Sequence, residues 1–372
     1  MLEKIAKKKV SSFLSSLDIS INGSASCNIE VHDARFYSSL ALRGSLGLGE
    51  SYIEGWWDAD PIDEFLLRLI KGKAEKKFPS VDAFFCELGG RLFNLQTQKR
   101  SLTAANKHYD IGNDLYSRML DDLMMYSCGY WKNAADLNQA QTNKLDLIAR
   151  KLNFQPKMKV LDIGCGWGGA CKYFAEKYQV ELVGITISSE QAALAKERCQ
   201  GLSVEIRFQD YRELKEKFNA IYSIGMFEHV GYKNYKKYME AVASMLEDHS
   251  LFLLHTIGRN ESNTCTDPWI NKYIFPDGMV PSIKQIGKAA EDFFIMEDWH
   301  NFSRDYDKTL LAWFKNFDTT YNEIQKNYDE RFYRLWKYYL HACAASFRAR
   351  DNQLWQVLFS KNGMIGELSD CR

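Results

Sequence analysis

Five apolar runs, "KVLDIG", "VELVGITI", "VEIRFQD", "AIYSIG" and "LFLLHTI", alternate with amphipathic stretches between residues 159 and 257, and this alternation constrains the chain more than any other feature. Strand followed by helix, repeated, builds a doubly wound, mostly parallel sheet with helices on both faces. Further strands are predicted at "FFIMEDWH" and "QLWQVLFS", which brings the sheet to seven. Two amphipathic helices, "ANKHYDIGNDLYSRMLD" and "LNQAQTNKLDLIARKL", lead into it. Residues 303–350 read as two long helices rich in Trp, Tyr and Phe. They suit either plain helix packing or a cap over a hydrophobic substrate slot. Residues 1–95 mix short helical patterns with glycine-punctuated turns, as in "RGSLGLGESYIEGWWDAD", and are expected to form a separate small domain. The remainder, 96–372, is then the larger, catalytic one.

Composition narrows the partners. Lys+Arg and Asp+Glu are both 48 in 372 residues, so no long-range field recommends nucleic acid. The lysine runs "KIAKKK" and "KGKAEKK" read as solvated helix faces or as local basic patches. Nine cysteines form no C-x-x-C pair and no zinc spacing, so no metal site is expected. An odd cysteine count and a charged N-terminus suggest reduced thiols in the cytoplasm. No apolar run approaches the ~20 residues of a membrane span. A chain of this kind can lie on a membrane without crossing it.

The first predicted strand runs into "VLDIGCGWGG", which sets Gly164, Gly166, Gly168 and Gly169 where backbone must pass close to a ligand. The pattern formally fits a dinucleotide site, but such a site wants an acidic ribose ligand about 20 residues on. Here the second strand ends in Thr186-Ile187-Ser188, and Glu190 follows on the helix. Asp162 before the glycines favours S-adenosylmethionine, with the loop cradling its methionine end. Thr186, Ser188 and Gln191 would then hold the ribose through neutral hydrogen bonds. Gln209, Asp210 and Tyr211, in "QDYRE", stand where adenine is expected, although Asp210 also reads as a solvated turn residue.

"AIYSIGMFEHVG" ends an apolar strand with Glu228 and His229 side by side. A carboxylate there is costly unless something pairs with it. His229 is expected to point away from Glu228, as strand neighbours do, and to serve as a structural histidine.

Eight stretches together, "HYDIGNDLYSRMLD", "MMYSCGYW", "VLDIGCGWGG", "GMFEHVG", "LLHTIG", "DPWINKYIFPDG", "MEDWHNFSRDYDKTLLAW" and "FRARDNQLWQV", resemble the bacterial cyclopropane fatty acid synthase family. The resemblance runs over nearly the whole chain and is looser before residue 95. Relatives that methylate mycolic acids or plant alkaloids share the core motifs. The resemblance implies a class I, Rossmann-like methyltransferase that moves a methylene from S-adenosylmethionine to the cis double bond of phospholipid acyl chains. It further implies a bicarbonate base held by Cys128, Glu228, His255, Ile257 and Tyr306, and a homodimer on the cytoplasmic membrane face. Tyr109 and Tyr126 match positions near the sulfonium, where an aromatic face or hydroxyl favours a cation. Cys128 has the rival reading of a nucleophile, but no base is suggested beside it.

Overall fold

The computed structural model describes residues 2–23, 27–80, 82–84, 87, 94, 96 and 112–366. In the N-terminal part, α1 (Leu2–Ser15) precedes a small sheet of β1 (Ser20–Ile21), β2 (Asn28–Val31) and β3 (Trp57–Ala59), with α2 (Arg35–Ile53) between β2 and β3. Then come α3 (Ile62–Lys71) and the single turn α4 (Ala74–Lys77). Of the glycines predicted to punctuate turns, Gly55 does so after α2 (φ 71°), whereas Gly44, Gly47 and Gly49 lie inside α2, which kinks at Gly44 (φ 54°) and continues. Their purpose is close approach. A Cβ on Gly49 would stand 2.3 Å from the Trp269 indole nitrogen, and one on Gly47 only 2.1 Å from the Ser39 carbonyl.

The central sheet holds all seven predicted strands: β4 (Lys159–Ile163), β5 (Glu181–Thr186), β6 (Val204–Phe208), β7 (Phe218–Ile224), β8 (Leu246–Arg259), β9 (Ile295–Asn301) and β10 (Asn352–Ser360). Their order is β6-β5-β4-β7-β8-β10-β9. Every pair from β6 to β8 is parallel, whereas β10 enters antiparallel between β8 and β9. Along β4 the side chains alternate as a strand demands. Leu161 and Ile163 face one apolar cluster, and Val160 faces another.

Helices close both faces. Before the sheet come α5 (Asn113–Met119) and α6 (Leu137–Lys151). Within it are α7 (Gly169–Tyr178), α8 (Ser189–Arg198), α9 (Tyr235–Met245), α10 (Pro268–Tyr273) and α11 (Ile283–Ala290). α6, α7 and α8 pack against the Val160 side; α9 and α11 pack against the Leu161 side.

The aromatic helices are α12 (Arg304–Ile324) and α13 (Glu330–Arg348). Trp313, Phe317, Trp336 and Tyr339 are buried in one apolar cluster that also contains Phe36, Trp57 and Phe65. The N-terminal elements therefore share a core with the aromatic helices. Arg334 strengthens the junction by donating to the carbonyls of Tyr52 (2.6 Å) and Trp57 (3.0 Å), and Arg348 pairs with Asp63 at 2.7 Å. The boundary expected at residue 95 falls in a stretch of which only 87, 94 and 96 are described. No described helix is long and apolar enough to cross a membrane.

Candidate active site

Parallel strands all present their carboxyl ends at one edge, and there a cavity of about 180 Å³ opens. β4 leads into Gly164, Gly166 and Gly168, whose φ angles of 90°, 53° and 78° lie in the left-handed region that favours glycine. A Cβ on Gly166 would meet no atom within 4 Å, so this glycine faces open space. Gly168 closes the loop as the residue before α7. It stands back from the cavity against Ala195 and Cys199.

The other predicted cofactor residues fall around the same cavity. Asp162, Thr186, Ser188, Gln191, Gln209, Asp210, Tyr211 and Tyr126 line it with Gly164 and Gly166. Tyr109 lies outside the described residues. Asp162 is buried, with Oδ2 accepting from Cys171 Sγ (3.5 Å) and Oδ1 lacking any partner. Burial raises its pKa to about 7. Such an orphaned acceptor suits an ammonium, which is the group at the methionine end of the expected cofactor.

Thr186 donates to Gln191 Oε1 (3.0 Å) and accepts from the Ser188 amide (3.2 Å), while Ser188 caps α8 through the Gln191 amide (3.3 Å). These three residues form one neutral polar wall, and Glu190 is exposed beyond it. Asp210 is no solvated turn residue. It is buried and held by Arg212 at 2.6 and 2.7 Å. The Tyr126 hydroxyl meets that of Tyr339 at 2.8 Å.

Cys128, Glu228, His255, Ile257 and Tyr306 are absent from the cavity wall and lie behind it. Glu228 sits on a short 3₁₀ turn, Phe227–His229, after β7. Its Oε1 accepts from the Ile257 amide at 2.7 Å. This amide was expected to serve an ion, and here it serves the carboxylate. Glu228 Oε2 is buried and makes no hydrogen bond, while the neighbouring Thr256 hydroxyl, close enough to favour the carboxylate, donates to the Ile257 carbonyl (3.0 Å). Burial lifts the Glu228 pKa to about 7, although the Ile257 amide opposes it.

His255 on β8 stands opposite Gln356 on β10. Gln356 Nε2 approaches His255 Nδ1 at 3.3 Å. With the amide nitrogen facing Nδ1 the ring proton sits on Nε2, and with Gln356 Oε1, itself buried without a partner, facing Nδ1 it sits on Nδ1. Nε2 is buried and unpartnered, and burial keeps the imidazole neutral by pushing its pKa well below the usual value. Cys128 is tied to α12 through Thr309, whose hydroxyl accepts from the Gly129 amide at 3.1 Å. Tyr306, one turn earlier on α12, stacks on Phe347 at 4.4 Å. Burial raises the Cys128 thiol well above its normal pKa, which removes the thiolate a nucleophile would need.

The structure also adds residues. β7 ends at Ile224 and Gly225 turns with φ 67°, so strand alternation no longer governs His229. His229 lines the cavity, edge-on to Phe275 at 5.9 Å, with its pKa lowered to about 4 by burial. Gln96, Trp167 and Phe275 line the same cavity. None of its lining residues comes from 303–350, and the aromatic helices meet its wall through Tyr339, whose hydroxyl reaches that of Tyr126.

A seven-stranded sheet with one antiparallel insertion, a glycine loop after its first strand and a polar wall at its carboxyl edge define a class I, Rossmann-like S-adenosylmethionine-dependent methyltransferase. Residues 96–357 match the family described as mycolic acid cyclopropane synthetase, and the chain belongs to that family. It is 52% identical over 349 residues to the cyclopropane-fatty-acyl-phospholipid synthase of Escherichia coli K12, spanning 94% of this chain and 91% of the relative. The cyclopropane synthase MmaA2 of Mycobacterium tuberculosis superposes with a TM-score of 0.66 at 27% identity, over 72% of this chain and all of that one. The mycolic acid cyclopropane synthase CmaA1, solved with S-adenosylhomocysteine and CTAB, gives 0.65 at 28% identity, over 70% and 98%.

Proposed function

We propose that this enzyme adds a methylene from S-adenosylmethionine across the cis double bond of unsaturated phospholipid acyl chains at a membrane surface, with bound bicarbonate as the base. The Escherichia coli relative, by its name, makes cyclopropane fatty acyl phospholipids, and 52% identity over 94% of the chain supports the same substrate here. The observation that carries the base is the pair of buried orphan atoms, Glu228 Oε2 and His255 Nε2.

A cis alkene is a weak nucleophile and needs a dry site. S-adenosylmethionine supplies an electrophilic methyl on its sulfonium when bound. Gly164, Gly166 and Asp162 would hold its methionine end, and the Thr186–Ser188–Gln191 wall its ribose. Ring closure then requires loss of a proton from the added methyl. Glu228 Oε2 can accept the hydroxyl of bicarbonate, and the His255 Nε2–H can donate to one of its oxygens. Cys128, Ile257 and Tyr306 would shape the remainder of that pocket. A neutral His255 donates through its single N–H without adding a charge to the pocket.

Incubation with S-adenosylmethionine and monounsaturated phospholipid vesicles, followed by mass spectrometry, should show acyl chains that gain one methylene and exchange their double bond for a ring. A methyl-branched product that keeps a double bond would place the enzyme among lipid C-methyltransferases, and an inert lipid with a methylated amine would place it among N-methyltransferases. Bicarbonate titrated into degassed buffer should restore turnover; indifference to it would leave Glu228 as the base. The exposed Leu42 and Phe84 and the exposed lysines at 71–77 support docking on a lipid surface. The proposal includes a homodimer, which sedimentation equilibrium separates from a monomer.

A further inference from the structure

Helix α6 carries two buried lysines on one face. Lys151 has a carboxylate, Asp298 Oδ2 on β9, at 3.0 Å. Lys144, two turns earlier and fully buried, has neutral oxygens: it donates to Ser127 Oγ at 2.8 Å and to Gln141 Oε1 at 2.6 Å. Asp121 is the carboxylate whose charge bears most on it, but among the described residues no carboxylate oxygen bonds to it. An ammonium that bonds only to neutral oxygens is costly to bury, so its retention calls for a function.

Its bonds point to one. Gln141, held by Lys144, donates through Nε2 to the carbonyls of Met125 (3.2 Å) and Ser127 (2.8 Å). Lys144 and Gln141 thus fasten the 125–128 segment, whose Met125, Tyr126 and Ser127 form cavity wall. The charge of Lys144 also reaches Asp162, whose Oδ1 has no partner.

We propose that Lys144 is a positioning residue of the cofactor site, clamping the Met125–Cys128 segment against α6 and holding Asp162 as the carboxylate that receives the cofactor's ammonium. The proposal rests on Asp162 as a cofactor ligand.

The groups that bear on this equilibrium are few. Asp162 is faced by Lys144 from α6, Cys171 from α7, Tyr222 from β7 and Tyr238 from α9. The Cys165 side chain and burial raise Cys171, and burial raises Tyr222 and Tyr238, above their usual pKa values, so they stay neutral near pH 7. Lys144 is faced by Asp121, Cys128, Asp162 and His255. Burial lowers its own pKa to about 8, so it is cationic where Asp162 titrates.

Calorimetry with S-adenosylhomocysteine from pH 5.5 to 8.5 tests this without an activity assay. Wild-type affinity should rise with pH through about 7 as Asp162 loses its proton. D162N should abolish that rise. K144Q keeps a donor for Ser127 and lacks the charge, whereas K144M lacks both. Both should move the rise to higher pH and weaken binding at pH 7 by about 2- to 5-fold, the equivalent of raising Asp162 from about 7 by half to one pKa unit. Melting curves confirm folding, and K144Q alone reads the charge if K144M does not fold. A K144Q profile coincident with wild type, with D162N flat, overturns the role of Lys144 while leaving Asp162 in place. A D162N variant that binds like wild type with its pH dependence intact removes Asp162 from the site, and the proposal with it.

Discussion

Glu228 spends one oxygen on the Ile257 amide and leaves the other without a donor. Glu228→Gln replaces an acceptor oxygen with a donor, so the hydroxyl of the ion loses its partner. Turnover should fall by roughly 10²–10⁴, the usual cost of losing a general base, while S-adenosylhomocysteine affinity measured by calorimetry stays unchanged. The same variant has a stability signature. The folded pKa of about 7 lies above the ordinary carboxylate value, so Glu228 contributes stability that is present at low pH and lost as pH rises through about 7. Melting of E228Q should match wild type near pH 5 and exceed it at pH 8. At this scale the sequence showed that Glu228 needed a partner, because a carboxylate after an apolar strand is anomalous whatever the fold. It could not show that the Ile257 amide would be that partner, since a backbone donor has no letter of its own. Lys144 was illegible for another reason: a lysine on an amphipathic helix reads as solvated, and only the packed segment 125–128 reveals it as buried.

The loop between β4 and α7 makes a sharper test of the cavity. Gly166 combines φ 53° with open space around its missing Cβ, so Gly166→Val would strain the backbone and intrude on the cavity without striking the protein. Affinity for S-adenosylhomocysteine should fall by at least about 10-fold with only a small drop in melting temperature; unchanged affinity would mean that the cavity holds something else. Gly49 in α2 presents the opposite case. Gly49→Ala drives a methyl into Trp269 and should destabilise by about 1–3 kcal/mol, the usual cost of overpacking, with the cofactor site untouched. Chemical denaturation measures it. Strands buried on both faces were legible because continuous apolar runs leave little alternative. α2 was not, because a glycine that serves a turn and a glycine that admits a neighbouring indole look the same until Trp269, over two hundred residues later, is in place.

At the scale of the molecule, the N-terminal elements and the aromatic helices stand or fall together. A fragment beginning at residue 96 would uncover Tyr338, which packs against Tyr52 and Trp57, and Trp269, which packs against Gly49. It should melt well below the full chain, so it is a poor probe of lipid docking. Reversing the charge of Lys71, Lys73, Lys76 and Lys77, all exposed, leaves that core intact. In vesicle flotation the variant should lose binding to anionic vesicles as added salt does, with cofactor affinity unchanged; full retention would make docking apolar. The sheet order has a last consequence, for synthesis. β10 is among the final strands to leave the ribosome, yet it belongs in the sheet interior, joining β8 to β9. Until it arrives, the β8 edge that carries His255 has no neighbour on that side, and β9 has none at all. The nascent chain must keep that edge open from the synthesis of β8 until β10 follows, and truncation before residue 352 removes the middle of the sheet rather than its margin.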